Sequence, residues 1–228
     1  MTDPTIEPLL RHAPATVHGR YLVRPPRTSA AACWLVGFHG YAQSAAMFLP
    51  GLLRADVRAQ WLVASVQAPH PFYTRTEEVV ANWMTREDRE LAIADNIGYA
   101  ATVFDQLESE FGTPRAIVVA GFSQGVAMAY RAALMGRRTC DALFAVGGDT
   151  PPELRSGGVQ PWPHVVLLTG GSDAWYAPAR LEADAEAVRG AGAEVRTLVF
   201  SGGHEWNDAV VTELSAVLAE VEGRTGPT

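Results

Sequence analysis

The chain has 228 residues, 48% hydrophobic and 19% charged, which is ordinary globular material and enough to bury a core within one domain. Its formal charge is −7, and all 18 basic residues are scattered arginines with Arg137-Arg138 the one adjacent pair. That argues against a nucleic-acid or anionic-membrane surface as partner, since either needs clustered Lys and Arg.

Taken in order, Met1 to Thr16 carries Asp3, Glu7 and three prolines. It lacks the basic and apolar regions of a signal peptide and reads as an N-terminal extension. Arg20 to Val23 is predicted as a first strand, followed by a turn at Pro25-Pro26. Cys33 to His39 is predicted as a buried strand ending in His-Gly. The longest apolar run, Ala30 to Phe38, is far short of the roughly 20 residues of a membrane span. Two cysteines, Cys33 and Cys140, are too few for a disulfide framework. Cys33 is expected as a buried free thiol, and a reduced, cytoplasmic setting is expected with it.

Ala45 to Arg58 is predicted helical in part, with a break at Pro50-Gly51, and Gln60 to Val66 is the next strand. A loop bearing Pro69, Pro71, Phe72, Tyr73 and Trp83 follows. Asp88 to Phe111 has a helical stripe of Leu91, Ala94, Ile97, Ala101, Phe104 and Leu107, closed by Gly112 and Pro114. Ala116 to Ala120 is a β-branched run that enters Gly121-Phe122-Ser123-Gln124-Gly125. An Ala-rich helix, Val126 to Met135, follows at once, with Gly136 past its end. Strands are predicted at Ala142 to Val146, Val165 to Thr169 and Glu194 to Phe200. Helices are predicted at Pro178 to Arg189, with Pro in the first turn, and at Asn207 to Glu220; Gly223 to Thr228 is a frayed tail. This alternation is that of an α/β fold in a single domain. A mostly parallel sheet is covered by helices on both faces, with no room for a large lid domain.

The strand, sharp turn and helix around Gly-x-Ser-x-Gly are the context of a nucleophile elbow. Ser123 at its tip would present its hydroxyl away from the sheet. Gly121 and Gly125 would let strand and helix pass closely, and the helix start would aim free N–H groups at a developing oxyanion, that of Gln124 first. The bland alternative is a glycine-rich turn whose serine caps a helix. A serine hydrolase on such a sheet orders its residues Ser, then acid, then His. Downstream of Ser123 stand His164, at the wrong edge of the sheet, and His204, in the loop after the last strand. His204 is therefore the expected general base. Asp149 and Asp173 each follow a strand end. Asp173, after the penultimate strand, is the expected acid, though either could be a turn residue. The Tyr41 N–H, just past His39-Gly40, is the expected second oxyanion donor, and His39 reads as a loop anchor. His204-Glu205-Trp206-Asn207-Asp208 starts like a zinc-protease helix but ends in Asp208, so no metal is expected.

Phe38-His39-Gly40, Arg89-Glu90 with Ile93, and Ala120-Gly121-Phe122-Ser123-Gln124-Gly125 together resemble the phospholipase/carboxylesterase family of α/β hydrolases, which includes bacterial carboxylesterases and acyl-protein thioesterases. The resemblance spans about residues 33 to 206. It implies Ser123 as nucleophile, Asp173 as acid, His204 as base, Gln124 and Tyr41 as the oxyanion hole, and no cofactor. A homodimer is common in that family. The chain departs from the family pattern at Val126, where a glycine is usual. It departs again in Asp173-Ala174-Trp175-Tyr176-Ala177-Pro178, one residue longer than usual, and at Ser201-Gly202-Gly203-His204-Glu205-Trp206.

With no large lid, the substrate pocket is expected from loop side chains: Met47, Phe48, Phe72, Tyr73, Trp83, Trp175 with Tyr176, and Trp206. The alternative for each is that it seals the core. The expected partner is a small-molecule ester or thioester, with a short to medium acyl or an aryl group, cleaved through an acyl-enzyme. Two rivals are a dienelactone-hydrolase-like lactonase gripping a carboxylate with Arg75 or Arg86, and a catalytically silent binding module on the same scaffold. The first of these groups uses a cysteine where this chain has Ser123.

Overall fold

The computed structural model describes residues 8–27, 32–155 and 161–225. Among the described residues nine strands and five α-helices follow one another: β1 Tyr21–Arg24, β2 Trp34–Phe38, α1 Ala45–Ala55, β3 Leu62–Val66, β4 His70–Tyr73, β5 Val79–Asn82, α2 Arg89–Phe111, β6 Ile117–Phe122, α3 Gln124–Leu134, β7 Ala142–Val146, β8 His164–Gly170, α4 Pro178–Gly190, β9 Val195–Phe200 and α5 Asp208–Arg224. The central sheet has the order β1-β3-β2-β6-β7-β8-β9. Only β1 is antiparallel, pairing Tyr21 with Val66; every other neighbour is parallel.

Strands β2, β3, β6 and β7 are buried at every position, as continuous Val, Leu, Ala and Phe runs demand when both faces of a sheet are covered. Alternate side chains sort to the two faces. Trp34, Val36 and Phe38 pack under α2, α3 and α4, with Leu107, Met128 and Leu181. Leu35, Val63 and Phe144 pack under α1 and α5, with Leu52, Leu214 and Val217. Parallel order sends the carboxyl ends of β2, β6, β7, β8 and β9 to one edge of the sheet, where a site belongs in such folds.

Three expectations change. Helix α1 runs unbroken through Pro50. The proline is solvent-facing and removes one backbone bond, and the helix packs on the sheet through Phe48, Leu52 and Ala55 on its other side. Gly51 is where the Trp206 indole rests, since a Cβ there would lie 2.9 Å from its Cδ1. The segment read as a loop contains the β4–β5 hairpin, in which His70 pairs with Asn82 and Tyr73 with Val79. Of the expected tail, Gly223 and Arg224 are helical, because the Thr225 N–H and hydroxyl both bond the Val221 carbonyl and close the last turn; residues 226–228 lie outside the described residues, as do residues 1–7 of the N-terminal extension. Both cysteines are buried free thiols, and among the described residues no helix is long and apolar enough to cross a membrane.

Candidate active site

Strand β6 delivers Ser123 at a turn so tight that the serine backbone sits at φ 52, ψ −119, a region L residues rarely adopt. The Ser123 N–H donates to the Val146 carbonyl (2.8 Å), so the tip is pinned to the end of β7. A Cβ on Gly125 would lie 2.1 Å from the Phe38 carbonyl oxygen, and one on Gly121 would lie 2.6 Å from that of Gly125. The two glycines are thus required by close approach of backbone to backbone. Ser123 also occupies the cap position of α3, but its side chain makes no capping bond.

The hydroxyl is directed instead at His204. Ser123 Oγ lies 2.9 Å from His204 Nε2, and His204 Nδ1 lies 2.8 Å from Asp173 Oδ2. His204 comes from the loop after β9, and Asp173 from the turn after β8. The Asp173 carboxylate is nearly fully buried. Its Oδ1 accepts the N–H groups of Trp175 (2.8 Å) and Tyr176 (2.9 Å). Burial alone would raise its pKa. The Tyr176 N–H, the His204 ring and the Trp175 N–H outweigh that and hold it below the ordinary value. Asp149, the other acid considered, pairs with Arg180 instead. His164 begins β8 at the far edge of the sheet.

On the other side of Ser123 lies the loop after β2. A Cβ on Gly40 would come within 3.2 Å of Ser123 Cβ, so this loop passes over the serine. The Gly40 N–H bonds Gln43 Oε1 (2.8 Å) and the Ala42 N–H bonds the Ala81 carbonyl (3.1 Å). Between them the Tyr41 N–H has no partner among the described residues, and neither has the Gln124 N–H at the first position of α3. His39 anchors the loop from below. Its Nδ1 bonds the Gly40 carbonyl (2.7 Å), and its Nε2 accepts the Ala68 N–H (3.0 Å), which fixes the neutral tautomer.

The expected pocket residues divide. Trp83 lies in the core, fully buried between Phe38 and His39, with its Nε1–H on the His39 carbonyl (2.8 Å); an indole that can satisfy its N–H inside packs there in preference to a wet cleft. Phe48 and Tyr176 are also buried, Phe48 edge-on to Trp206 at 4.9 Å. Trp206 further meets Phe122 and Phe144, and Phe122 faces His204 at 5.0 Å, so this aromatic group backs the site. Tyr41 and Phe72 stack at 5.5 Å. Met47, Tyr73 and Trp175 are exposed, the last two at 74% and 78%.

Two features escaped the sequence. The Gln124 side chain accepts the Trp83 N–H (2.9 Å) and donates to the Met84 carbonyl (2.8 Å), clamping the segment after β5 to the elbow. Asp184, a buried carboxylate on α4, gathers donors from the loops around Asp173. The sequence signal for the first was only that Gln both donates and accepts beside Ser123. The second carried none.

No protein-family model matches the chain, and no curated protein sequence matches it. Solved structures do. The esterase PE8 aligns over 91% of this chain and 100% of its own, at 24% identity and a TM-score of 0.70. The Bacillus cereus carboxylesterase aligns over 89% and 94%, at 16% identity and 0.71. A carboxylesterase from Mesorhizobium loti aligns over 88% and 94%, at 16% identity and 0.72. At such identities the likeness is one of architecture, and the chain has the α/β-hydrolase fold.

Proposed function

We propose that the protein is a serine hydrolase that cleaves carboxylic esters or thioesters through an acyl-enzyme on Ser123. The observation that carries this reading is the line from Ser123 Oγ through His204 to the buried Asp173, at 2.9 and 2.8 Å. His204 Nε2 takes the hydroxyl proton as Oγ attacks the ester carbonyl. Asp173 holds the tautomer with Nδ1–H and stabilises the imidazolium. The N–H groups of Tyr41 and Gln124, together with the positive end of α3, receive the oxyanion. As the tetrahedral intermediate collapses, His204 returns the proton to the departing alcohol or thiol. Water, deprotonated by His204, then attacks the acyl-Ser123 ester, and collapse of the second intermediate frees the acid and the serine. No cofactor enters.

The exposed Tyr73 and Trp175 and the stacked Tyr41–Phe72 pair favour an open, partly aromatic mouth that suits short to medium acyl or aryl substrates. Treating the protein with a fluorophosphonate and measuring intact mass is the first test. One adduct at Ser123, lost in Ser123→Ala and His204→Ala, is expected; absence of labelling at neutral pH would sink the reading. With p-nitrophenyl esters of graded length, Ser123→Ala should lower kcat by about 10⁴-fold or more. Turnover confined to long-chain lipids would refute the substrate class.

A further inference from the structure

The acid turn is fixed from beneath by a set of groups that the hydrolytic steps do not use. Tyr176, whose N–H bonds Asp173 Oδ1, sends its ring inward, where its hydroxyl donates to Asp184 Oδ2 at 2.9 Å. Its carbonyl accepts the Thr169 hydroxyl at 2.5 Å, and that hydroxyl also lies 3.5 Å from Asp173 Oδ2. Asp184 Oδ2 accepts a second donor, the Thr150 N–H (2.9 Å), while Oδ1 pairs with Arg155 (2.6 Å). One buried carboxylate on α4 therefore ties down both loops that bracket the imidazole. The loop after β8 carries Asp173. The loop after β7 carries Gly147, where a Cβ would sit 3.1 Å from His204 Cε1.

We propose that Asp184 and Tyr176 are positioning residues that set the Asp173 carboxylate and the flanking Gly147 loop against His204; the proposal rests on the hydrolase reading of that site. A carboxylate taken out of water is costly and is often replaceable by apolar packing where it serves stability alone. Here its acceptors are directed at three donors from two segments, the connections after β7 and after β8, both of which border the imidazole. Burial first, then the facing Asp184, raise the Tyr176 phenol well above its ordinary value, so it stays a donor.

Tyr176→Phe deletes one oxygen, and Asp184→Asn keeps the shape while removing the charge. In the full chain, two readouts would be taken beside circular dichroism: the rate of fluorophosphonate labelling, and the low-field proton resonance of the His204 Nδ1–H in the free protein. Both variants should keep the folded spectrum, label about tenfold more slowly, since small misplacements are costly in rate, and show a shifted or weakened resonance. Wild-type labelling and an unmoved resonance in Tyr176→Phe would overturn the proposal. If Asp184→Asn does not fold, Tyr176→Phe decides alone. If the wild type itself is not labelled, the hydrolase reading has failed, and the resonance still decides whether these groups position His204.

Discussion

At Ser123 the demands of geometry and of chain preference conflict. Its φ of 52 belongs to backbone that favours glycine. Ser123→Gly should therefore unfold at higher denaturant than Ser123→Ala, by about 1 kcal/mol, although both lack the hydroxyl; urea titration of the pair measures it. His39 sets a pH dependence. Burial lowers its pKa from the ordinary 6.5, with the Gly40 carbonyl pulling the other way. A folded state that protonates less readily than the unfolded chain is fully stabilised above about 6.5, and loses that stability as pH falls toward the lowered value. Asp173, also lowered, loses its contribution further down, as pH falls through 3.8 and below. The thermal midpoint should drop between pH 7 and 5, and less so in His39→Gln, whose amide can still accept the Ala68 N–H. That Ser123, His204 and Asp173 would meet was legible because motif and chain order are local or sequential facts. The Gln124 clamp and Asp184 were not, because their partners lie 41 and 34 residues away and nothing in the local pattern marks them.

Among the elements, α1 separates propensity from packing. Pro50 and Gly51 together read as a break, yet apolar burial on the opposite side holds the helix continuous, a tertiary override of local preference. Pro50→Ala restores one backbone bond at a solvent-facing position and should stabilise by roughly 1 kcal/mol or more. Gly51→Ala should do the reverse, because the new methyl meets the Trp206 ring, and the displaced indole would also loosen the group behind His204; a lower midpoint with slower labelling is the expected pair of results. The β4–β5 hairpin was hidden by Pro71 and by its exposed alternation. It matters because Ala81 bonds both Ala42 and Gln43, joining the hairpin to the loop over Ser123. Trp83 was legible as an important aromatic, but which way an indole faces depends on partners such as the His39 carbonyl, which only the fold supplies.

Across the whole molecule, the mostly parallel sheet was legible in kind, since alternating buried runs and helices leave few topologies. The sheet order and the antiparallel β1 at its edge were not, because pairing is set by long-range burial and no residue announces its neighbour. Five strand ends bring the loops of the site to one edge of the sheet, with α1 and α5 on one face and α2, α3 and α4 on the other. Ser123 and His204 are 81 residues apart, and His204 and Asp173 31. A chain growing from its amino terminus thus carries an ordinary, unreactive alcohol through most of its own synthesis. On the proposed hydrolase reading, it gains its base only when the last strand and its loop have docked. In refolding from urea, covalent labelling should accordingly lag the return of helical signal, so that the reagent dates the final assembly step.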